Sequence, residues 1–536
     1  MEIMKQTIDF PVTFNKDVIV VGGGCAGVVA ALAAARNGAA TLLVERAGYL
    51  GGMLTGGLVH SLHGYRFHQN YVGKLPMSNW SSELLVKGIT LEIYDRILKA
   101  KGTINPDRAG DPSVRENVDE EITMLVLEEM MQESGVEVLY NTIAFSALKE
   151  KDAVTGIIFA NKSGPQIAKA KVVVDATADA DIAVSAGCET LLGHPDTNQT
   201  HGGALLMEIG GIDAHRYIDY VKNRPSLSEE ESAALEKDRA ELFRGGSPLP
   251  QTALSLTGER GSFTMAGKPQ SWEQIEKAYQ EGKYLMLPGI SAEWTAYVKA
   301  NPDIPHMINT RVKKSVYPPE PRFSWFGLVR DGKLRYDQCM TGVHELFFDQ
   351  TNELEISKAI QLMRKIDFVY MHFLKSRVPG FENAYIIKTS PLVGTRESRR
   401  IVGEYTLSAE DCVNGRMFDD AVAVCGRACN VHNMDMHAGL WYWLEPKGVY
   451  ALPYRCLIPK GVENLLVAGR CSSVDFIALG ATRSMPTCMS LGEGAGTAAA
   501  LAAKNGVKLK NLDIKLLQSS LLKQGVLLPE PITAVS

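Results

Sequence analysis

Residues 17–46 read DVIVVGGGCAGVVAALAAARNGAATLLVER, and this stretch decides the fold of the chain. Its opening, Asp17–Val21, is a short run rich in β-branched side chains, which predicts a buried parallel strand. The strand leads into a Gly-x-Gly-x-x-Gly pattern at Gly22, Gly24 and Gly27. Because this pattern alone also occurs as a tight structural turn, the segments that follow it decide its interpretation.

An alanine-rich helix is predicted after the glycines, ending near Asn37 at Gly38. Thr41–Val44 predicts a second strand, and Glu45 follows it directly, 23 residues after Gly22. A carboxylate about 20 residues beyond the glycines accepts hydrogen bonds from ribose hydroxyls and would repel a 2′-phosphate. Strand, glycines, helix, strand and acid, in this order, predict a unit that binds a dinucleotide.

Each glycine of the pattern has a physical role in such a unit. Gly22 lets the chain turn off the strand, Gly24 lets the backbone approach a diphosphate, and Gly27 lets the helix pack close to the sheet. The first helical turn, with Cys25 and Ala26, presents free N–H groups and a partial positive charge. We therefore expect the diphosphate to lie against this turn.

A glycine-dense loop, residues 48–57 (GYLGGMLTGG), stands where a plain NAD enzyme would continue with another crossover. Here the sequence resembles the FAD-dependent oxidoreductases with a glutathione-reductase-type FAD fold. It is similar in particular to a bacterial branch related to fumarate-reductase-like flavoproteins, in which VER precedes a GGMLT-like loop. The resemblance implies that FAD is the cofactor and that the loop wraps its diphosphate and ribityl chain. It implies contacts from Arg46, Gly51, Gly52, Met53 and Thr55.

The next segments extend the resemblance. Residues 119–134 predict an amphipathic helix with its first residue as N-cap, and a strand is predicted at 136–141. In similar flavoproteins the backbone of this segment touches the adenine. A β-meander is predicted over 154–160, 167–170 and 172–174. It ends in DATAD, close to the family's ATGD, and the resemblance implies contacts from Ala176 and Asp179.

A second part of the FAD site is predicted near the C-terminus. Residues 463–470 read ENLLVAGR, an apolar strand followed by Gly469 and by Arg470, where many FAD folds carry an acid. Gly492 and Gly494 are predicted to open a small-residue helix whose positive end would stabilise negative charge on the reduced flavin. Tight helix packing is the alternative interpretation of these glycines.

The predicted fold class is α/β, with a split Rossmann-like FAD-binding domain that includes the meander and an inserted α+β substrate or cap domain. Residues 14–205 and 386–515 are assigned to the FAD-binding domain, with a substrate-site loop at about 425–450 in the second part. Residues 206–385 are assigned to the cap domain, and 516–536 to a C-terminal tail.

Composition narrows the functional classes. The chain has 536 residues, of which 45% are hydrophobic and 22% charged, so it is not largely disordered. A net charge of −5 argues against nucleic acid as the main partner. No apolar stretch approaches the about 20 residues that span a bilayer. Nine scattered cysteines without a CxxC argue against a disulfide framework, and a cytoplasmic location is predicted.

The first candidate cluster for chemistry follows the glycine-dense loop. Residues 60–68 read HSLHGYRFH, with three of the eleven histidines of the chain. His60 and His63 are spaced as HxxH, but no third ligand with sensible spacing is visible, so no metal is predicted. The loop is either solvated or in contact with the substrate, and His63 is its candidate catalytic residue.

Two further clusters lie in the second half of the chain. Residues 394–401 read GTRESRRI, in which Arg396 or Arg400 would bind a carboxylate or stabilise the reduced flavin. An Arg–Glu structural network is the equally weighted alternative. Residues 430–437 read NVHNMDMH, and His437 is the candidate general base, against a structural, hydrogen-bonded histidine. Arg483 and His201 are lesser candidates.

These observations predict an FAD-dependent oxidoreductase in which flavin N5 takes a hydride from a small polar, anionic or polyhydroxylated substrate. No second dinucleotide pattern and no paired redox cysteines are visible, so the partner is a small molecule or an unknown electron acceptor. Two alternatives remain, namely reduction of activated C=C bonds as in fumarate-reductase-like enzymes, and a structural or non-redox FAD in an isomerase or assembly protein. The oligomeric state stays open, a homo-oligomer included.

Overall fold

The structure is a computed structural model that describes residues 9–60, 62, 84–104, 117–195, 200–224, 228–234, 237, 272–282, 290–301, 307–309, 314–316, 322–342, 346–431, 442–444 and 448–529. None of the helices in these ranges combines the length and apolarity that crossing a bilayer requires.

The strands are β1 (Val12–Val21), β2 (Thr41–Val44), β3 (Glu137–Leu139), β4 (Ile143–Glu150), β5 (Ala153–Asn161), β6 (Gly164–Asp175), β7 (Thr190–Leu191), β8 (Leu206–Gly210), β9 (Met307–Asn309), β10 (Lys314–Val316), β11 (Arg322–Arg330), β12 (Lys333–Gly342), β13 (Tyr385–Thr389), β14 (Arg400–Ile401), β15 (Ala421–Cys425), β16 (Cys429–Val431), β17 (Tyr442–Leu444), β18 (Tyr450–Pro453) and β19 (Leu465–Val467).

The α-helices are α1 (Cys25–Arg36), α2 (Ile89–Lys99), α3 (Glu120–Glu133), α4 (Asp181–Ser185), α5 (Ala214–Asn223), α6 (Trp272–Gln280), α7 (Ser291–Ala300), α8 (Glu353–Arg377), α9 (Ala409–Val413), α10 (Leu479–Thr482), α11 (Met485–Asn505) and α12 (Ile514–Lys523). Short 3₁₀ helices lie at Gly52–Leu54, Tyr454–Leu457 and Leu509–Asn511.

The first sheet has seven strands in the order β3-β2-β1-β6-β5-β4, with β19 also paired to β6. β1, β2, β3, β6 and β19 run parallel, whereas β4, β5 and the start of β6 form an antiparallel meander. In the parallel part, Val18 lies opposite Thr41 on one side and Val172 on the other. Because β1 and β19 come from opposite ends of the chain, both ends are needed to complete this sheet. The predicted α/β class is confirmed.

Both faces of the parallel strands are covered, which explains their continuous apolar sequence. Val18 and Val20 lie in the core that includes α1 and α11. Ile19 and Val21 point to the other face, where they join a second core with meander residues such as Phe159. A strand buried on both faces has no polar alternation, so its run of valine and isoleucine is the expected pattern.

α11 crosses α1 at very short distance because small residues face each other. A Cβ at Gly492 would lie 2.2 Å from the Ala26 carbonyl oxygen, and one at Gly496 would lie 2.1 Å from that of Ala30. The prediction that these glycines open the helix is wrong, since α11 begins at Met485. The glycines allow close helix packing in the middle of α11, which is the alternative that the sequence left open.

The second sheet has four antiparallel strands in the order β11-β12-β8-β13. All four lie between Leu206 and Thr389, so this sheet is inserted in the sequence between the two parts of the first. Its core is built largely from aromatic side chains, including Tyr217, Trp294, Tyr370, Phe373 and Phe381. The predicted domain boundaries stay predictions, although β13 extends beyond the expected limit at 385.

Two local predictions need correction. Residues 516–536 were expected to form a tail. Instead, α12 packs on the hydrophobic core that includes α1 and α11, with Leu517 and Leu521 fully buried. β4 is a strand that the sequence did not predict, because Ile143 and Phe145 are half exposed along it and no clean alternation marks it. By contrast, the predicted N-cap Asp119 is confirmed by its hydrogen bonds at the start of α3.

Candidate functional site

In the glycine turn between β1 and α1, Gly22 and Gly27 pack closely against the backbone, whereas Gly24 has free space beside it. Gly22 has φ +99°, and a Cβ there would lie 2.5 Å from the Ala176 carbonyl oxygen. A Cβ at Gly27 would lie 1.7 Å from the Gly22 oxygen, so the helix requires glycine at this position to pack on the turn. At Gly24 a Cβ would meet no atom of the described chain within 4 Å. This open face lies at the N-terminus of α1, which has no side-chain cap.

Glu45 lies at the carboxyl end of β2 and faces the glycine turn. Its Oε2 accepts a hydrogen bond from Gly23 N at 2.5 Å, and its Oε1 accepts one from Ala47 N at 2.7 Å. The two backbone donors fix the carboxylate beside the open N-terminus of α1. The sequence-predicted carboxylate and the sequence-predicted glycines therefore occupy one site.

The glycine-dense loop packs over this turn. Gly51 donates from its N–H to the Gly23 carbonyl at 2.9 Å, and its own carbonyl accepts from Cys25 Sγ at 3.2 Å. Burial raises the pKa of Cys25 to about 12, which keeps the thiol protonated and unreactive. Thr55 donates from Oγ1 to the Leu50 carbonyl at 2.6 Å, so its hydroxyl stabilises the loop itself.

Asp179 joins three motifs that are far apart in the sequence. Its Oδ1 accepts from Arg470 Nη2 at 2.5 Å and from Ser398 Oγ at 2.6 Å, while Arg399 Nε donates to its carbonyl at 2.9 Å. Burial acts to raise the pKa of Asp179, but the charge of Arg470, the hydrogen bonds from Ser398 and Arg470, and the charge of Arg46 hold it below its usual value. Arg470 thus has an acidic partner supplied by the DATAD segment.

Arg400 lies in a buried structural network. Its guanidinium pairs with Glu397, which also accepts from Gly193 N at 2.9 Å and His201 N at 2.8 Å, and its Nε donates to the Val474 carbonyl at 3.0 Å. Both side chains of the pair are almost completely buried. For Arg400 the geometry favours the structural alternative over a catalytic role, and the same holds for the buried His201 beside it.

Arg396 is half buried and follows a segment that contacts the glycine-dense loop. Its Nη1 donates to the Gly202 carbonyl at 2.9 Å. Just before it, a Cβ at Gly394 would lie 3.4 Å from Met53 Cε, and Ser390 Oγ donates to the Gly56 carbonyl at 2.9 Å. Among the catalytic candidates, His63 and His437 lie outside the described residues. Arg396 is therefore the described catalytic candidate that is not part of the buried Arg400 network and whose segment contacts the loop.

The N-terminus of α11 lies beside that of α1, a feature that the sequence analysis missed. Gly469 lies between the first turns of the two helices: a Cβ there would be 3.0 Å from Ala26 Cβ in α1 and 3.8 Å from Cys488 Cβ in α11. Ser484 is the N-cap residue and has no side-chain cap bond to the helix; its Oγ lies 2.7 Å from Thr487 Oγ1. Serine followed two residues later by Pro486 is an N-terminal signal that could have located this start.

A buried polar cluster, the His60 cluster, joins the glycine-dense loop to the second sheet. His60 Nε2 lies 3.1 Å from Glu208 Oε1 and 3.6 Å from Glu120 Oε2, and Arg330 and Lys388 pair with both acids. Burial acts to raise the pKa of Glu120, but the neighbouring His60, Arg330 and Lys388 lower it to about 2. The sequence analysis singled out His60 but had no means of connecting it to the two acids.

The model of the family described as "FAD dependent oxidoreductase" matches residues 17–521 of the chain. The chain belongs to this family. It is an FAD-dependent oxidoreductase, and FAD is its cofactor. The match spans both parts of the first sheet and the inserted second sheet.

Several solved structures share low similarity with the chain. A geranylgeranyl bacteriochlorophyll reductase-like protein from Thermoplasma acidophilum is 13% identical, with 96% of this chain and 84% of that chain covered and a TM-score of 0.38. The p-nitrophenol 4-monooxygenase from Pseudomonas putida DLL-E4 is 9% identical, with 96% and 85% covered and a TM-score of 0.39. A flavocytochrome c3 fumarate reductase is 12% identical, with 92% and 79% covered and a TM-score of 0.35. No curated protein matches the chain.

The described residues fit FAD. The open face at Gly24 and the uncapped N-terminus of α1 suit a diphosphate, and Glu45 beside them suits the adenosine ribose. The uncapped N-terminus of α11 lies on the same side, next to Gly469. Gly492 and Gly494 face α1 and Val422 instead, so their predicted cofactor contacts find no support in this geometry. The individual cofactor contacts stay predictions.

Proposed function

We propose that this FAD-dependent oxidoreductase removes a hydride from a small polar, anionic substrate. When bound, FAD supplies the hydride acceptor at N5. The observation that carries the proposal is the position of Arg396, a half-buried guanidinium on the segment that contacts the glycine-dense loop through Gly394 and Ser390.

Arg396 would bind and orient the anionic group of the substrate. Its hydrogen bond to the Gly202 carbonyl holds the guanidinium in place, and arginine binds carboxylates through paired N–H donors. A substrate held at this point would lie beside the loop that is predicted to wrap the flavin. Orientation of this kind makes an otherwise bimolecular hydride transfer effectively unimolecular.

His437 is the residue we propose as general base. The segment that carries it connects β16 to β17, which pair with Cys429 opposite Leu444. β16 packs against α10, since a Cβ at Gly480 in α10 would lie 2.7 Å from the carbonyl oxygen of Asn430 in β16. α10 directly precedes α11 in the chain. The described ends of the segment therefore lie near the N-terminus of α11, which supports a place for His437 at the same site. His63, on the segment that leaves the glycine-dense loop, is proposed as a substrate contact.

The test is anaerobic mixing of the FAD-loaded protein with hydroxy acids, amino acids and uncharged polyols. We expect an anionic substrate to bleach the oxidised flavin. Arg396→Met should then raise KM for that substrate at least about tenfold, the usual scale for a charged hydrogen bond, with a smaller effect on an uncharged analogue. Arg364→Met, on the surface of α8, is the matched control and should behave as wild type.

Two results would contradict the proposal. Rapid reoxidation of chemically reduced enzyme by an unsaturated acid, with no bleaching by any reduced substrate, would show that the enzyme works as a C=C reductase. Equal KM values in wild type and Arg396→Met would remove Arg396 from the substrate site.

A further inference from the structure

The His60 cluster brings three metal-ligating side chains together from three separate elements. His60 follows the glycine-dense loop, Glu120 begins α3 and Glu208 lies on β8. Their ligand atoms, one from each residue, all lie within 4.8 Å of one another. All three side chains are at least 97% buried. His60 Nε2 has no hydrogen-bond partner in the described part of the chain, although two carboxylate oxygens lie 3.1 Å and 3.6 Å from it.

We propose that His60, Glu120 and Glu208 bind one divalent transition-metal ion. Metal–ligand distances of about 2.1 Å place adjacent ligand atoms about 3.0–3.4 Å apart in octahedral or tetrahedral geometry. The observed separations of 3.1 Å and 3.6 Å from His60 Nε2 are close to these values. One imidazole and two carboxylates suit Zn²⁺, Mn²⁺ or Fe²⁺, and three protein ligands leave coordination positions open.

The two cations of the cluster hold the carboxylates in different ways, and Lys388 leaves their His60-facing oxygens free. The oxygens that face His60 are Glu120 Oε2 and Glu208 Oε1, whereas Lys388 contacts the other oxygen of each acid. Arg330 donates to the facing oxygens themselves, from Nη1 to Glu120 Oε2 at 3.0 Å and from Nη2 to Glu208 Oε1 at 3.3 Å and Oε2 at 3.2 Å. Each carboxylate oxygen has a second lone pair, which a metal ion can use. Partners of this kind orient metal-ligating carboxylates.

Charge balance supports a bound cation. Asp119, Glu120 and Glu208 carry three negative charges, and Arg330 and Lys388 supply two positive ones. Because an unpaired buried charge is costly, a further positive charge is needed. A divalent ion with one anionic oxygen in an open position makes the sum neutral. A proton on His60 would also make it neutral, and the experiment distinguishes the two.

The site is connected to the loop that is predicted to wrap the flavin. Val59, the neighbour of His60, donates from its N–H to the Met53 carbonyl at 2.9 Å, so His60 is tied to the glycine-dense loop. A substrate oxygen is a suitable ligand for an open position and would be polarised there. Metal binding itself does not depend on the proposed substrate, since it follows from the three ligands alone.

The test is to strip the FAD-loaded protein with EDTA and to titrate it separately with Zn²⁺ and Mn²⁺, followed by calorimetry and elemental analysis after dialysis. We expect one ion per chain in wild type. His60→Gln should weaken binding by about 100-fold or more because it removes the only nitrogen ligand of the set. His372→Gln, an exposed histidine on α8, should bind as wild type.

FAD content and melting temperature in EDTA show whether each variant is folded. Wild-type protein that binds neither ion overturns the proposal without reference to any variant, and leaves the proton on His60 as the balancing charge. Full-strength, one-to-one binding by folded His60→Gln also overturns it, because the ion would then lie elsewhere.

Discussion

Glu493 shows how burial changes the chemistry of a single residue. It is a buried residue of α11. Its two carboxyl oxygens accept hydrogen bonds from Ile89 N at 3.3 Å and 3.1 Å, so its side chain caps the first turn of the neighbouring helix α2. Burial raises the pKa of Glu493 from 4.5 to about 8, although the hydrogen bond from Ile89 acts in the opposite direction. The folded protein therefore holds a proton on this group near neutral pH.

This raised pKa predicts a pH-dependent stability. The unfolded chain loses the proton near pH 4.5 and the folded protein only near pH 8, so the free energy of unfolding falls as the pH rises through this window. Glu493→Gln keeps a hydrogen-bond acceptor and removes the titration. At about pH 9 the variant should be more stable than wild type by several kcal/mol, because each pH unit between the two pKa values contributes about 1.4 kcal/mol. At about pH 4 the two proteins should be close in stability.

Urea denaturation at a series of pH values measures this difference. Glu129→Gln, an exposed glutamate on α3, is the control and should follow the wild-type pH dependence. A parallel pH dependence in wild type and Glu493→Gln would show that the group does not titrate in this window.

At the scale of elements, the crossing of α1 and α11 is the contact that brings the two ends of the chain together. Gly496→Leu would drive a side chain into the Ala30 backbone, where even a Cβ would lie 2.1 Å from the carbonyl oxygen. Since backbone cannot move aside as a side chain can, we expect a loss of about 3 kcal/mol or more and a drop in bound FAD. Thermal unfolding and the flavin content of the purified variant measure the two effects.

Gly48→Ala is the control for this crossing, because a Cβ there would meet its nearest neighbour at an ordinary 3.7 Å. It should unfold within about 1 kcal/mol of wild type. Wild-type stability in Gly496→Leu would mean that the helices can separate without affecting the rest of the fold.

Elements differ in how well the sequence predicts them. β2 was predicted to the residue, and α3 with its N-cap nearly so, because local signals mark them: a short, largely apolar run for β2, and an Asp cap and a closing glycine for α3. The start of α11 was placed at Gly492 instead of Met485 because the small residues of a helix crossing resemble those of a helix that faces a ligand. Only the position of α1 tells the two apart.

At the scale of the whole molecule, FAD is expected to stabilise the fold by binding residues from both halves. Ligand at about 100 times its Kd adds about 2.7 kcal/mol to the free energy of unfolding. Glu45→Gln removes the charge that is proposed to bind the ribose, and should weaken FAD binding by about 10–100-fold. At a fixed, moderate FAD concentration the variant should then lose most of the FAD-dependent rise in melting temperature.

The control is Glu150→Gln, at the exposed end of β4, which should keep the full rise. Melting temperatures with and without added FAD provide the comparison. An undiminished rise in Glu45→Gln would show that this carboxylate does not bind the cofactor.

Sequence alone determined the α/β class and the βαβ unit with Glu45, because short-range patterns of glycine and apolar residues encode them. The return of the C-terminal strand to the same sheet followed from the resemblance to FAD folds. The tertiary structure alone decided which polar groups meet. Asp179 with Arg470, Arg400 with Val474 and His60 with Glu208 are separated by 291, 74 and 148 residues. No local pattern encodes such partners, since a charged side chain in a sequence does not indicate which distant element will bury it.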